Sequence, residues 1–546
     1  MNGTSFRRIA RARSAVAVLA VAGLLAGACS KSDGGSSPSA NTSPASAGTY
    51  KEGFVNGGDA TGTPVKGGQL TMAVYAETPS LDPAVTPGTG YVGGTEMAAI
   101  FDVLIRFDPT TGKYEPQMAK SLTPNADYTD WTLGLRDNVT FSDGTKLDAN
   151  AVKTSLERIA KKGRAGWPIS QNVASMTVTD PLTLDIKLNK SLPAFPYALA
   201  YSPGLITSPN ADQQGDAYGR KPIGAGPYTV EKYAPGEEIV LKARDDYWGG
   251  RPNIDTLRFV PITGDKAKLD ALDSGTVNLA FLGEPTGVHS AFTGGRPGFL
   301  TLSNEGQALL VNMAPGRPTA DPKVRQAIAY AIDPNVINQR VNEGAGLPTK
   351  AMYGPTSRYY SQSVTGLPYD PAKAKQLLDE AKAGGYDGKL KLVSSSSPMR
   401  SNMALAVQAL LEKVGFTVDT DVTGTTADQT RKVNIEKNFD ISTSGPAYRE
   451  QEPYMEITKT LLSGSAQNAS NYKSPQMDAL LKQLGEAKNT DEVKAKLGEI
   501  QNLINTDQPI IGLATIPEML AWNKNVKGVE MSITSTMLLN KAWIEK

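Results

Sequence analysis

The chain has almost no cysteine and almost no histidine. Its 546 residues contain one of each, Cys29 and His289. A single cysteine excludes an internal disulfide, and a single histidine argues against histidine-rich metal sites and a Ser/His/Asp triad. The patterns GxSxG and HExxH, the P-loop and paired metal-binding cysteines are also missing. The sequence therefore predicts no catalytic residue, no metal site and no cofactor, and we interpret His289 as a surface or capping residue.

An excess of charge of one sign is also missing. The chain has 56 Lys and Arg against 55 Asp and Glu. Without its first 28 residues, which contain four arginines, 52 basic and 55 acidic residues remain, a net charge of about −3. Because nucleic-acid binding favours a basic face, we predict no nucleic-acid partner.

No apolar run is long enough to cross a bilayer, which takes about 20 residues. The longest run, AVAVLAVAGLLAGA (15–28), follows four arginines and ends in small residues, as in a secretory signal peptide. The pattern resembles a bacterial lipobox, with Ala26 in place of the usual leucine. We predict that residues 1–28 are a lipoprotein signal peptide and that Cys29 is the lipid anchor. An ordinary signal peptide with a chance cysteine is the alternative.

A polar segment follows the cysteine. Residues 29–66 are mostly Ser, Gly, Ala, Thr, Pro and Asn, which bury too little apolar surface to offset the entropy of ordering. We predict that this segment is a disordered tether. The remaining body of roughly 480 residues is too long for one core and implies two or three domains.

The body mixes strand and helix patterns. DPLTLDIKLNK (180–190) alternates apolar and polar residues, which predicts a strand, and GPYTVEKYAPGEEIVLKA (226–243) predicts a hairpin that turns at Pro235-Gly236. Asp321, Asp370 and Ser474 each precede a proline, which predicts capped helix starts. Residues 474–505 are predicted to be mostly helical, as two helices. The fold class predicted is therefore α/β.

Five blocks of the body resemble the solute-binding proteins of ABC importers in the oligopeptide/dipeptide/nickel family, extracellular family 5. The blocks are AETPSLDP (76–83), DWTLGLRDNVTFSDGTKLDANAVKTSLERI (130–159), PIGAGPYTVEKYAPGEEIVLKARDDYWGGRPNIDTLRF (222–259), DPKVRQAIAYAID (321–333) and YDPAKAKQLLDEA (369–381). The resemblance implies a type II periplasmic-binding-protein fold with two lobes and an extra domain. Lobe I would comprise 67–100, 221–315 and 512–546, the inserted domain 101–220, and lobe II 316–511. The hinge would lie around 309–315 and 509–517.

The resemblance also implies a function. The protein would be a monomeric, lipid-anchored receptor on the extracytoplasmic face of the membrane, without enzymatic activity. It would capture oligopeptides or dipeptides between its lobes by hinge closure and deliver them to an ABC permease. One alternative is the same role for a non-peptide or acidic solute, such as an oligosaccharide, an opine or a metal chelate. Another is an extracellular hydrolase, for which no acid/base pair stands out.

Two loops match ligand-facing stretches of the family. In AETPSLDP these are Glu77, Thr78 and Pro79, and in TSGPAYREQEP (443–453) they are Gly445, Pro446, Ala447, Tyr448 and Arg449. Tyr91 completes the predicted ligand-binding set. For Tyr91 and Tyr448, a role in covering the core is the alternative. Alanine at Thr78 or Tyr448 is expected to weaken binding and to cost about 1 kcal/mol of stability at most.

Arg449 departs from the family pattern. Peptide-binding relatives usually have an aspartate shortly before an acidic-proline pair, and that carboxylate pairs with the peptide ammonium. Here the acidic-proline pair is Glu452-Pro453, and Arg449 matches the aspartate. An arginine facing the cleft repels an ammonium and favours a carboxylate or phosphate. Two alternatives remain open: Glu450 or Glu452 takes the aspartate's place, or Arg449 pairs with a neighbouring glutamate.

Overall fold

The computed structural model describes residues 50–162, 164–303, 307–446 and 448–546. The predicted signal peptide, Cys29 and Ala447 lie outside the described residues.

The first part of the described chain is rich in strands, with helices between some of them. The strands are β1 (Gly53–Val55), β2 (Gln69–Val74), β3 (Ile105–Asp108), β4 (Lys113–Pro116), β5 (Ala119–Pro124), β6 (Asp130–Leu135), β7 (Val173–Asp180), β8 (Thr183–Leu188), β9 (Tyr228–Ala234), β10 (Glu238–Ala243), β11 (Thr256–Pro261), β12 (Leu279–Leu282) and β13 (Gly298–Ser303). The helices are α1 (Gly94–Phe101), α2 (Ala149–Lys162), α3 (Trp167–Asn172), α4 (Pro196–Ala200), α5 (Asp265–Asp273) and α6 (Pro285–Thr293).

The second part is richer in helix. Its helices are α7 (Pro322–Ala331), α8 (Pro334–Val341), α9 (Pro371–Ala383), α10 (Pro398–Lys413), α11 (Thr426–Thr430), α12 (Pro453–Leu461), α13 (Pro475–Glu486) and α14 (Thr490–Asp507). Its strands are β14 (Ala308–Val311), β15 (Leu347–Pro348), β16 (Lys389–Ser395), β17 (Thr417–Thr423), β18 (Ile441–Ser442), β19 (Ile510–Gly512), β20 (Ala514–Trp522), β21 (Val526–Lys527), β22 (Glu530–Met531), β23 (Met537–Leu538) and β24 (Trp543–Ile544).

The largest sheet has nine strands. Its order is β1-β13-β20-β12-β2-β11-β10-β9, with β15 added beside β20. β2 runs parallel to both β11 and β12, whereas β20 is antiparallel to β12 and β13. This sheet therefore collects strands from chain segments that are far apart in sequence.

Two smaller sheets occupy other parts of the chain. The first is a four-stranded antiparallel sheet in the order β5-β6-β8-β7, which lies between β2 and β9 along the chain. The second has five strands in the order β17-β16-β18-β14-β19, and its apolar core includes side chains of α7, α9 and α10.

The chain passes between the nine-stranded and five-stranded sheets at two places. β13 ends at Ser303 in the first sheet and β14 begins at Ala308 in the second, whereas β19 ends at Gly512 and β20 begins at Ala514. The boundary predicted at 315 is therefore several residues too late, because β14 pairs with β18 and β19. β15 also departs from the predicted division, since it pairs with β20 although it lies within 316–511.

The predicted tether needs a correction at its end. Residues 53–55, within the range predicted to be disordered, form β1 and pair antiparallel with β13. The preceding Tyr50 is fully buried against Phe292, and its hydroxyl lies 2.9 Å from Nδ1 of the half-buried His289. Sequence composition missed this strand because two aromatic residues, Tyr50 and Phe54, are enough to anchor a short edge strand within a segment that is otherwise polar.

The local predictions are confirmed. β9 and β10 form the expected hairpin, and Gly236 in its turn has a φ of +75°, which glycine adopts without steric cost. Asp321, Asp370 and Ser474 each accept a backbone N–H at the start of α7, α9 and α13. Residues 474–505 form α13 and most of α14.

One apolar cluster connects the region of the four-stranded sheet to the helices α12–α14. It contains Phe195 and Tyr197 from the former and Tyr454, Met455 and Tyr472 from the latter. These parts of the chain therefore pack against each other, and a cavity of about 780 Å³ lies beside this contact.

Candidate ligand-binding site

Two cavities adjoin each other in the structure. The larger one has a volume of about 780 Å³ and two different walls. One wall comes from the loop before α1, from the end of α2 with α3, and from α4 with the residue that follows it. The other comes from α12 and the loop after it. The lining residues are Ala84, Val85, Pro87, Lys162, Ala165, Trp167, Pro168, Tyr197, Tyr201, Met455, Glu456, Lys459 and Gln467.

A smaller cavity of about 330 Å³ adjoins the first. The two share Glu456, Lys459 and Gln467. The other residues that line the smaller cavity are Leu310, Asn434, Ser444, Gly445, Pro446, Arg449, Thr460, Ala466 and Ala469. Together the two cavities form a site with two compartments, whose common border is the side of α12 that carries Glu456 and Lys459, together with Gln467 in the loop that follows.

The larger compartment is aromatic on one side. Tyr197 and Tyr201, one helical turn apart, stack with ring centroids 5.6 Å apart and planes 19° apart, and Trp167 lies on the same wall. Burial raises the pKa of the Tyr197 hydroxyl well above its ordinary value; the nearby Glu456 raises this pKa further and Arg449 lowers it. Tyr197 is therefore a neutral hydroxyl at physiological pH, within electrostatic reach of both charged groups.

The border between the compartments carries an ion pair. Lys459 Nζ lies 2.5 Å from Glu456 Oε2, one turn earlier on α12. Lys162, at the end of α2, is a second cation that lines the larger cavity, and it is paired with Asp212. The site thus combines an apolar body with a few charged groups at its edge, as small-molecule sites commonly do.

Arg449 lies in the smaller compartment. Its side chain is 8% exposed, and the centre of its guanidinium lies 5.0 Å from the centroid of the Tyr91 ring. The Tyr91 hydroxyl donates in turn to the buried carboxylate of Glu518 on β20. The cation–π contact joins a loop next to the five-stranded sheet to an aromatic cluster beside the nine-stranded sheet.

The glutamates next to Arg449 have other partners. Arg358 donates to the backbone carbonyl of Glu450 at 2.6 Å, and its Nε lies 3.4 Å from the Glu450 carboxylate. Glu452 caps α12 by accepting from the backbone N–H of Tyr454 at 2.8 Å. Neither glutamate is among the described residues that line the two cavities. This geometry argues against the alternative in which one of them takes the place of the family's aspartate.

Burial changes the ionisation of this loop. It raises the pKa of Glu452 to about 8 and also raises the pKa of Glu450. Glu52, just before β1, accepts from the Gln451 side chain at 2.8 Å; burial and then the neighbouring Glu450 raise its pKa. On the side of the loop that faces the protein interior, the buried carboxyl groups of Glu52, Glu450 and Glu452 thus lie near Arg358.

Glu77, Thr78 and Pro79 of the loop AETPSLDP (76–83), unlike Arg449 of the loop TSGPAYREQEP (443–453), lie away from the two compartments. Thr78 is buried and donates to Glu96 at 2.9 Å, while its carbonyl accepts from the Tyr233 hydroxyl. Glu77 and Thr78 line a separate cavity of only about 20 Å³, and Pro79 is exposed. None of the three is among the described residues that line the two compartments.

The reason that Glu77, Thr78 and Pro79 do not line the two compartments lies further along the same loop. Asp82 receives two hydrogen bonds from Arg158 of α2, at 2.7 and 2.6 Å, and this pair is almost fully buried. It fixes the loop against α2, so that Ala84, Val85 and Pro87 reach the larger cavity instead.

The two predicted tyrosines are core residues. Tyr91 packs against Tyr75 and Phe281, with centroids 5.4 and 5.0 Å away. Tyr448 is 3% exposed and packs near Tyr353 behind the loop, away from both compartments. Their contacts favour the alternative that they cover the core, although Tyr91 also supports Arg449.

Sequence reasoning missed most of the wall residues. Trp167, Tyr197, Tyr201 and Lys459 were not singled out. The signal that could have found part of this wall is the spacing of Tyr197 and Tyr201, four residues apart in a short Pro-flanked segment. Such a pair lies on one helix face, but the sequence does not show that this face borders α12.

Within the described ranges, no group of three or more His, Cys, Asp or Glu side chains is arranged to hold a metal ion. The described helices include none that is both long and apolar enough to cross a membrane.

Comparison with known proteins identifies the family. The glutathione-binding protein GsiB of Salmonella paratyphi A is 31% identical over 277 residues, which cover 49% of this chain and 53% of GsiB. The chain thus spans about half the length of this curated relative.

Two solved structures show the same fold. The dipeptide-binding protein of Pseudoalteromonas sp. SM9913 in complex with Met-Leu has a TM-score of 0.73 at 20% identity, covering 88% of this chain and 100% of its own. AgaA of A. tumefaciens R10 in complex with agropinic acid has a TM-score of 0.73 at 24% identity, covering 88% and 99%. The predicted fold class, an α/β protein of the type II periplasmic-binding-protein kind, is confirmed.

Residues 113–469, about two thirds of the chain, match the family described as bacterial extracellular solute-binding proteins, family 5 Middle. The resemblance found in the sequence blocks is therefore correct, and the chain belongs to family 5 of the bacterial extracellular solute-binding proteins.

Proposed function

We propose that this protein is the substrate-binding component of an ABC importer and that it captures a short peptide or a similar small solute in the two-compartment site. The observation that carries the proposal is the larger cavity, whose aromatic wall and α12 wall come from separate parts of the fold. A ligand between these walls contacts both only when they approach each other, so it favours the closed arrangement.

The three sheets correspond to three domains in this proposal. The nine-stranded sheet belongs to lobe I, the four-stranded sheet to the inserted domain and the five-stranded sheet to lobe II. The hinge consists of the connections between β13 and β14 and between β19 and β20, and the β15–β20 pairing adds a third connection beside them. The permease recognises the closed form of a monomeric receptor.

Within the site, we assign ligand contact to Gly445, Pro446 and Arg449 of the predicted set. To these the proposal adds Trp167, Tyr201, Met455 and Lys459. Tyr91 supports Arg449 from behind, whereas Thr78 and Tyr448 pack in the core outside the site.

Lipid attachment at Cys29 would keep the receptor beside its permease. One acyl chain alone binds membranes marginally, so stable anchoring needs more than one. Mass spectrometry of the mature protein checks this part of the proposal: we expect a lipid-modified N-terminal Cys29, and an unmodified N-terminus at another residue contradicts it.

Thermal unfolding against a library of peptides, sugars and organic acids tests the binding function. A ligand at 100 times its Kd stabilises the folded state by about 2.7 kcal/mol. We expect short peptides to raise the melting temperature and to be recovered intact. Release of a cleaved product would indicate a hydrolase instead, and stabilisation by sugars alone would contradict the peptide proposal.

A further inference from the structure

A short N-terminal strap, residues 50–55, reaches the loop that lines the smaller compartment. Its strand β1 pairs with β13 of the nine-stranded sheet, which fixes the strap to that sheet. Glu52 Oε1 accepts from Nε2 of Gln451 at 2.8 Å, across a separation of 399 residues in the chain. Gln451 belongs to the loop TSGPAYREQEP (443–453), in which Arg449 lines the smaller compartment. The strap and the loop are therefore in direct contact.

The remaining oxygens of these two side chains are buried without a partner. Glu52 Oε2 and Gln451 Oε1 are inaccessible to solvent, and neither has a hydrogen-bond partner among the described residues. An ionised carboxylate and an amide oxygen are both acceptors, so they cannot bond each other. A protonated carboxyl group can donate its O–H to the amide oxygen while its other oxygen accepts from the amide N–H. One proton on Glu52 thus satisfies two buried atoms whose desolvation is otherwise uncompensated.

The charged groups around Glu52 also favour the neutral acid. Arg358 is the cation that faces it, but Arg358 Nε lies 3.4 Å from the Glu450 carboxylate and is already engaged there. Burial, and then the Glu450 carboxylate, raise the pKa of Glu52 to about 8. Arg358, the backbone N–H of Leu302 and the Gln451 amide lower this pKa by less. Glu52 therefore holds a proton at neutral pH.

The other titratable groups near the strap have different partners. The Tyr50 hydroxyl lies 2.9 Å from Nδ1 of His289 on α6, and burial raises the pKa of Tyr50 to about 12, so this hydroxyl is neutral. Lys51 is exposed. Glu452 caps α12, and Tyr114 of β4 donates to a backbone carbonyl of the loop at 3.3 Å. The side-chain contact between the strap and the loop thus depends on Glu52.

We propose that Glu52 is a positioning residue of the ligand site and that it acts as a neutral acid paired with the Gln451 amide. The pair ties the strap to the loop and so keeps Arg449 at the smaller compartment. Because the pair needs the proton, its contribution is fully present below about pH 4.5 and is lost as the pH rises through about 8. The role of the loop in ligand binding rests on the proposed function, whereas the pair itself does not.

Hydrogen exchange of the loop tests the pair without a ligand. In the full chain, the protection of the peptide that contains residues 443–453 is compared at about pH 6 and pH 8.5, after correction for the intrinsic exchange rate. We expect protection to fall about tenfold or more, because each pH unit between the released and paired pKa values of Glu52 changes the equilibrium about tenfold. Glu450 and Glu452 titrate in the same loop and contribute part of this fall.

Three variants assign the effect to Glu52. Glu52→Gln keeps a neutral donor and acceptor for Gln451 but does not titrate, so we expect parent-like protection at pH 6 and a fall at least about threefold smaller. Glu52→Ala removes the pair and should lower protection about fivefold at pH 6, as loss of a buried hydrogen bond does. Lys51→Gln, at the exposed neighbouring position, is the matched control and should behave as the parent. The unfolding midpoint of each variant shows whether it is folded.

Titration with N-acetyl-Leu-Phe connects the pair to the ligand site. The blocked amino group of this probe does not titrate between pH 6 and pH 8.5, so any pH dependence of the Kd belongs to the protein. We expect Glu52→Ala to raise the Kd about fivefold at pH 6 and Glu52→Gln to keep it within about twofold of the parent value.

The outcomes separate the inference from the function. If Glu52→Ala leaves the protection of the loop unchanged, or if Glu52→Gln shows the full fall of the parent, the pair is not formed and the inference is wrong, whether or not the probe binds. If the protection changes as expected but Glu52→Ala leaves the Kd unchanged, the pair exists and the positioning role is wrong. If the parent protein does not bind the probe at 5 mM, the peptide function and the positioning role both fail, and hydrogen exchange still decides whether the pair exists.

Discussion

The two loops that match the family's ligand-facing stretches are built in opposite ways. In AETPSLDP (76–83) the polar side chains bind the protein itself: Thr78 donates to Glu96, and Asp82 binds Arg158. In TSGPAYREQEP (443–453) Glu450 and Glu452 bind the protein on the back of the loop. Pro446 and Arg449 line the smaller compartment, where Arg449 also packs against the Tyr91 ring. A sequence match thus located both loops, but it did not show which side chains face a ligand.

The difference comes from partners that are distant in sequence. Arg158 is 76 residues from Asp82 and fixes the first loop to α2. Arg358 is 92 residues from Glu450 and braces the second loop from behind. Each arginine thus holds a carboxylate, Asp82 or Glu450, away from the ligand site. The residues of the second loop that line the smaller compartment are Ser444, Gly445, Pro446 and Arg449. The residues near the first loop that line the larger cavity, Ala84, Val85 and Pro87, are apolar.

The largest expected effect is on the free energy of unfolding, and it follows from removing Arg158, which holds the first loop against α2. Arg158→Ala leaves the buried Asp82 carboxylate without its two strongest donors, and removal of one partner of a buried ion pair costs about 3–5 kcal/mol. We expect a loss of this size in the free energy of unfolding, measured with urea. Lys153→Ala, on the same helix but partly exposed, is the matched control and should cost less than about 1 kcal/mol.

A double-mutant cycle with Asp82→Asn attributes the loss. If the pair is the cause, the two changes together should cost much less than the sum of their separate effects. Full additivity would show that Arg158 acts instead through its other contacts, the Asp212 carboxylate and the Tyr218 ring.

The next effect tests whether Thr78 belongs to the ligand site or to the core. Thr78→Val keeps the shape but removes the donor to the buried Glu96, and a buried polar group left unsatisfied costs about 1–3 kcal/mol. We expect this loss in urea unfolding, with the Kd for peptide unchanged. This revises the expectation from sequence, in which alanine at this position weakened binding at little cost in stability. A variant of normal stability and weakened binding would restore that expectation.

Ionisation of the second loop predicts a pH dependence. Because burial raises the pKa of Glu452 to about 8, the folded protein keeps a proton that the unfolded chain releases near pH 4.5. The contribution of Glu452 to stability is therefore fully present below pH 4.5 and is lost as the pH rises toward 8, by up to about 1.4 kcal/mol per pH unit.

The variant Glu452→Gln tests this dependence. Glutamine can still accept the N–H of Tyr454 but does not titrate. We expect a shallower fall in the free energy of unfolding between pH 5 and 7 than in the parent protein. Glu237→Gln, at an exposed site, should leave the slope unchanged. Equal slopes in all three proteins would show that Glu452 is ionised in the folded state.

Much of the fold was accessible from the sequence, because its signals are local. Alternation in 180–190, the turn at Pro235-Gly236 and the capped starts at Asp321, Asp370 and Ser474 each depend on neighbouring residues. The site was less accessible, because it depends on contacts across the fold. Nothing near Thr78 in sequence shows that Glu96 takes its hydroxyl, and nothing near Tyr201 shows that α12 faces it.

The smallest expected effect is on ligand affinity. It shows whether a ligand contacts the residues at the rim of the larger cavity or those of the first loop. Val85 is 67% exposed and lines the larger cavity, whereas Glu77 is also exposed but lies at a separate small cavity. Val85→Ser removes apolar contact with the body of a ligand, worth about 0.8 kcal/mol per buried methylene, so we expect a roughly threefold to tenfold rise in Kd for an apolar probe. Because the site is exposed, stability should change by less than about 0.5 kcal/mol. Glu77→Gln is the matched variant and should leave both quantities unchanged. Titration of both variants with N-acetyl-Leu-Phe compares them directly: weaker binding in Glu77→Gln, with Val85→Ser unaffected, would show that the ligand follows the first loop after all.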